Sequence, residues 1–282
     1  MSARLILRGI AAFGLAAACG TASAQFNFNL NRILDTAKNL GKATTEIGEA
    51  QEIDIGREWA ALILGAAPLV DQPELQRYVN RVGRWVSLHS ERPNLEWKFG
   101  VIQSDNVNAF ATPGGYILIT KGLLAKLKNE SELAGVLAHE VSHVVRKHHL
   151  AAIRKSGLMQ AGANVLSEFA ANSRSPVAKE RLIGGAKEVL SRGLDKGDEF
   201  EADRMGVVIA ARSGYDPYGL PAVLQTLQGM NPQDSSLALM FSTHPAPGAR
   251  LDELDRVMST RLDRYAGQPQ LAERFTRAAQ IK

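Results

Sequence analysis

The chain has 282 residues, 33 Lys and Arg against 29 Asp and Glu, 45% hydrophobic residues and a single cysteine, Cys19. This is a globular composition with enough chain for one large domain or two small ones, which excludes disordered and fibrous classes. Arg4 and Arg8 stand in the first 24 residues, so 31 basic and 29 acidic groups remain beyond them. That slight excess excludes the charge footprint of a nucleic-acid binder, and a lone cysteine excludes a disulfide framework or a cysteine metal site.

Residues 1–24 run from a basic start through an apolar stretch, Ile10 to Ala18, to Ala22-Ser23-Ala24 before Gln25. This is the layout of a secretory signal peptide cleaved after Ala24. The apolar stretch is shorter than the ~20 residues of a spanning helix. Lipid attachment at Cys19, in Ala-Ala-Ala-Cys-Gly, is the weaker alternative. The expectation is an exported, periplasmic protein.

Residues 25–45 are polar and read as a linker or loose helix. Helical spacing of apolar residues begins near Ile53 and passes through Trp59, Leu62 and Ile63. A second helix is predicted over 74–88, with Pro73 at its first turn and Leu75, Tyr78, Val79, Val82 and Val86 on one side. Trp97, Phe99 and Val101 then alternate with polar or small residues, the pattern of a half-buried strand. Pro113-Gly114-Gly115 signals a turn into a second strand, Tyr116–Thr120.

The clearest helix is predicted over 130–150, opened by the Asn129/Glu132 capping pattern. Residues 151–190 read as mostly helical but carry Gly162, Gly184, Gly185 and Ser175-Pro176. Another helix is expected from Asp198 to Ser213, stopped by Gly214 and Pro217, and further helices near 219–229 and 248–264. The expected domain runs over 46–265, with 266–282 as a C-terminal tail. Periodicity alone gives an α-rich α+β chain with a short β element.

Within the clearest helix stands His139-Glu140-Val141-Ser142-His143. Residues four apart share a helical face, so both imidazoles can reach one ion, while Glu140 lies beside it as a base. Leu137, Ala138, Val141, Val144 and Val145 surround the motif as expected of a buried helix. Zinc needs a third protein ligand. Asp198-Glu199-Phe200-Glu201-Ala202-Asp203 offers Glu199 as that ligand and Asp203, one turn on, as the partner that orients His139. The same segment also reads as a solvated acidic helix start. His148 and His149 fall off the ligand face and, with Arg146 and Lys147, read as a basic helix end. His89 reads as structural.

Four stretches together resemble the HtpX-type and BepA-like gluzincin zinc metallopeptidases. They are Asn108–Leu124, the HEVSH helix, Glu199-Phe-Glu-Ala-Asp203, and Ser242-Thr-His-Pro-Ala-Pro247 with Arg250. The BepA-like members carry tetratricopeptide repeats, which this sequence does not show, so the resemblance is closer to the short, LoiP-like members. It implies a zincin-type fold with a β edge strand beside the metal helix. It implies one Zn2+ on His139, His143 and Glu199, with Glu140 as catalytic base. It further implies an endopeptidase acting on misfolded or misassembled envelope proteins, with the outer-membrane assembly machinery as a candidate partner.

The segment around Gly114, Gly115, Tyr116 and Ile117 is expected to be the edge strand that pairs with extended substrate. The matching histidine of BepA-like proteins can take the fourth zinc position. His244 therefore has three readings: a self-inhibitory ligand, a stabiliser of the developing oxyanion, or a loop residue packed on Arg250. From another class, the competing reading of the whole chain is a zinc-containing chaperone or assembly factor that cuts little.

Overall fold

The computed structural model of the protein describes residues 48–155, 193–265 and 267–279. The expected leader 1–24, the polar stretch 25–45 and residues 156–190 of the glycine-bearing segment lie outside the described residues. No helix among the described residues is long and apolar enough to cross a membrane.

Helix α1 (Glu49–Ala66) precedes α2 (Pro73–Ser87), where Pro73 takes the first helical turn and spares a backbone donor that has no partner there anyway. The predicted face of α2 is the buried one: Leu75, Tyr78, Val79, Val82 and Val86 all lie inside. It covers a three-stranded sheet of β1 (Lys98–Ile102), β2 (Ala109–Thr112) and β3 (Tyr116–Thr120).

The strand order is β1-β3-β2, with β1 parallel and β2 antiparallel to β3. β3 is therefore the central strand, bonded on both sides. This corrects the expected edge strand, because Tyr116 and Ile117 pair with Lys98 and Phe99 on one side and with Thr112 and Ala111 on the other. Gly114 and Gly115 form the β2–β3 turn, with φ of 76° and 97°, values that other residues adopt at a cost. The turn lies against α1, and the Gly114 N–H donates to the Glu52 carboxylate at 3.3 Å.

The two sheet edges are treated differently. The outer edge of β1 is closed by side chains of α2: Val101 N–H donates to Gln76 Oε1 at 2.8 Å and Phe99 N–H to Asn80 Oδ1 at 3.1 Å. The other edge is β2, which has no further strand beside it among the described residues.

After the short α3 (Lys121–Leu124) comes α4 (Glu130–Val145), the predicted metal helix. Asn129 Oδ1 caps it by accepting from Glu132 N–H at 2.9 Å. Every residue from Glu130 to Val144 is buried, so the helix is packed on all sides. Each large apolar side chain such as Leu133 or Leu137 contributes about 1.5–3 kcal/mol by leaving water.

The predicted single helix breaks at Lys147, whose φ is 58°, and α5 (His148–Lys155) starts in a new direction. Helix α6 (Lys196–Arg212) crosses α4 closely. Gly206 makes this possible, because a Cβ there would stand 2.9 Å from the His139 backbone nitrogen. Then follow α7 (Gly219–Gln228), α8 (Ala238–Thr243) and α9 (Pro247–Met258), with a 3-10 stretch at Ser259–Tyr265. The residues expected to trail as a tail instead form α10 (Ala272–Ala278). It is fastened by buried Phe275 and by Arg274, which pairs with buried Glu130.

Candidate metal centre

Helix geometry brings the two histidines of α4 together: His139 Nε2 and His143 Nε2 stand 3.0 Å apart. Helix α6 supplies Glu199, wholly buried, with its carboxylate oxygens 3.6 Å from His139 Nε2 and 3.5 Å from His143 Nε2. The loop between α8 and α9 supplies His244, whose Nδ1 lies 2.8 Å from Glu199 Oε2. One ligand atom from each of these four residues lies within 4.8 Å of the others. Glu199 Oε1 is buried with no hydrogen-bond donor among the described residues. A buried carboxylate oxygen left without a donor costs free energy unless a cation faces it. Two imidazoles and this carboxylate are a donor set that suits zinc, so the residues fit such an ion.

The electrostatics agree with that fit. Burial, with the neighbouring imidazoles, holds the His143 pKa well below its ordinary value, so the ring is neutral. Burial alone would raise Glu199, but His244, His139 and Arg250 outweigh it and hold the carboxyl at about 2. Burial pushes Glu140 up, as suits a group that must take and return a proton. For His244 burial favours the neutral ring, yet contact with Glu199 prevails and its pKa is raised.

Asp203 stands one turn beyond Glu199 on α6. Its Oδ1 is 2.9 Å from His139 Nδ1, leaving Nε2 of that ring toward the cluster. Arg250, buried in α9, donates to both oxygens of Asp203, at 2.8 and 2.6 Å. The Asp203 carboxyl is held low: the guanidinium and His139 overcome the burial that would raise it. His244 is in direct contact with Glu199, with Arg250 near the same carboxylate oxygen at 4.0 Å.

The cavity beside this cluster is lined by Asn108 to Ala111, Glu140, His143, His149 and His244. Among the described residues β2 has β3 on one side only and runs along this cavity, so it, rather than Gly114 to Ile117, borders the cluster. Asn108, at the head of β2, is buried with neither amide atom bonded among the described residues.

Two histidines missed as site residues also arrive here. His148 Nδ1 lies 3.0 Å from His143 Nδ1, and His149 packs edge-on to Trp59, its pKa lowered to about 4 by burial. Neither is part of a basic helix end. The signal that could have found them is the pair of adjacent histidines itself. His89 lies half-buried outside this cluster, its Nδ1 2.9 Å from the Trp85 carbonyl oxygen.

Comparison with known proteins agrees with this geometry. The profile of Peptidase family M48 matches residues 71–258. The beta-barrel assembly-enhancing protease of Escherichia coli (strain K12) is 31% identical over 224 residues, 77% of this chain and 46% of that protein. The mitochondrial metalloendopeptidase OMA1 of Schizosaccharomyces pombe is 28% identical over 180 residues, 63% of this chain and 51% of that protein. Metalloprotease YcaL of Escherichia coli (strain K12) is 26% identical over 162 residues, 57% of this chain and 62% of that protein. The chain spans about half the length of the first of these relatives. With a buried His-His-Glu cluster, a neighbouring carboxylate and a profile match over most of its length, this chain belongs to peptidase family M48.

Proposed function

We propose that the protein is a zinc-dependent endopeptidase of the bacterial envelope, acting on misfolded or misassembled envelope proteins. The observation that carries the reading is the convergence of His139, His143 and Glu199, with one Glu199 oxygen lacking a donor among the described residues and Glu140 beside them on the same cavity. A zinc ion held by these three residues would supply a Lewis acid for the scissile carbonyl and make water acidic enough to attack near neutral pH.

Glu140 accepts the proton of the attacking water and returns it to the leaving amine. Asp203 holds the His139 ring in one tautomer, and Arg250 holds Asp203. An extended substrate lies along β2, whose backbone pairs with it independently of sequence. The envelope assignment rests on the leader-like residues 1–24 and on the name of the Escherichia coli relative, which couples proteolysis to β-barrel assembly. An outer-membrane association and the assembly machinery as partner belong to the same proposal.

His244 rests against Glu199 inside the cluster of ligand atoms. This favours its role as a self-inhibitory fourth ligand that leaves during turnover. His244→Ala then raises activity. A sharp fall would assign it to oxyanion stabilisation instead.

The test is casein cleavage by the zinc-loaded full chain beside Glu140→Gln. Cleavage by the first and none by the second is expected. Equal cleavage by both would remove Glu140 from the chemistry. If neither cuts, and His244→Ala does not either, the chaperone reading takes over.

A further inference from the structure

The ring of His139 is held by Asp203, but among the described residues His143 has no carboxylate partner at its Nδ1. The atom that stands there is Nδ1 of His148, 3.0 Å away, with both rings buried. Helix periodicity would not place it there. Five residues beyond His143 on a continuous helix is about 140° round the axis. The left-handed Lys147 ends α4 and turns the chain back, so that His148, the first residue of α5, faces the ligand ring.

Two imidazole nitrogens at this distance share one proton-bearing partner. His143 directs Nε2 at the ligand cluster, so its proton sits on Nδ1 and donates to His148. The His148 proton then sits on Nε2. That atom faces Glu201 Oε2 at 3.4 Å, with Asp198 Oδ1 at 3.8 Å. Glu201 is itself held by Arg146 at 2.6 Å. The chain of contacts is consistent at each atom: His143 Nδ1–H to His148 Nδ1, His148 Nε2–H to the Glu201 carboxylate.

We propose that His148 is a positioning residue for the metal site, fixing the tautomer and ring orientation of His143 as Asp203 does for His139. The His148–Glu201 pair replaces the direct carboxylate. Glu201, which points away from the cluster on α6, gains a function through it. This inference rests on the zinc reading above.

The test is zinc affinity of the full chain, measured by competition with a chromogenic chelator, for wild type, His148→Leu and His148→Asn. Leu fills the space and removes the acceptor, whereas the Asn side-chain oxygen can stand near the lost Nδ1. Leu should weaken zinc binding about 10- to 100-fold, as removal of such partners typically does, and Asn should recover most of the loss. Thermal unfolding of the metal-free proteins separates this from a packing role, which would lower stability without an Asn rescue of affinity. Unchanged affinity in His148→Leu, or equal loss in both variants, would overturn the proposal. Absence of zinc binding by the wild type would overturn the zinc reading and this inference with it.

Discussion

The metal helix α4 carries a buried carboxylate cluster at each end, and the two are built to opposite rules. At its start, Glu130 is saturated. Tyr78 and Tyr215 donate to it at 2.8 and 2.6 Å, and Arg274 grips both oxygens. Both tyrosine pKa values are pushed up by burial and by the carboxylate they bond. At the other end, Glu199 meets α4 with one oxygen lacking a donor among the described residues, where four side chains able to ligate a metal converge. A satisfied buried charge pins elements together, here α2, the turn after α6 and α10 around α4. A buried charge left short of a donor marks a place where a cation belongs.

The contrast can be broken in a definite order. Glu140→Gln should lower casein cleavage about 10²- to 10⁴-fold. Its melting temperature should match or exceed that of wild type, because burial already penalises the Glu140 charge. Asp203→Ala should act on stability as well as on the site, since it strands the buried Arg250 guanidinium. A loss of about 3–5 kcal/mol is expected in urea unfolding of the metal-free chain. Glu130→Ala should cost about 1–3 kcal/mol for each tyrosine hydroxyl left unpaired, while zinc affinity stays as in wild type. A matching fall in zinc affinity would show that the two ends are coupled and defeat the contrast.

The pH dependence sharpens it further. Glu199 is held at about 2 in the folded chain, below its ordinary 4.5. A carboxyl lowered by folding stabilises the fold above 4.5, and that contribution is lost as the pH falls toward 2. Metal-free wild type should therefore lose more stability than Glu199→Gln between about pH 5.5 and about pH 3. Equal losses would show that Glu199 is not held down. The smallest effect concerns Lys147. Replacing it with Gly relieves a left-handed backbone at φ 58° but removes the Lys147 Nζ contact with the buried Glu52 carboxylate at 3.6 Å, so a net change within about 1 kcal/mol is expected, with zinc binding retained.

These clusters differ in how far the sequence disclosed them. HEVSH is legible because four residues make one helical turn, and the Glu199/Asp203 pair repeats that spacing on α6. β1 and β3 were legible one by one, through alternation and the Gly114-Gly115 turn, whereas β2 (Ala109–Thr112) is too short to show an alternation of its own. Their order was not, since β3 gains its central place by pairing with β1 across an intervening strand. The return of His148 depends on one left-handed lysine, a conformation that Gly or Asn would have announced and Lys does not. The docking of α10 was hidden for another reason. Arg274 meets Glu130 from 144 residues away, and no local pattern records a contact of that separation.

The central claim is that the unsaturated carboxylate cluster, and not the saturated one, is a zinc site. The most direct measurement is zinc bound per chain, by elemental analysis after dialysis, for wild type and Glu199→Ala. One ion in the wild type and a strong loss in the variant is the predicted result. An empty wild-type chain, or full occupancy without Glu199, would contradict it.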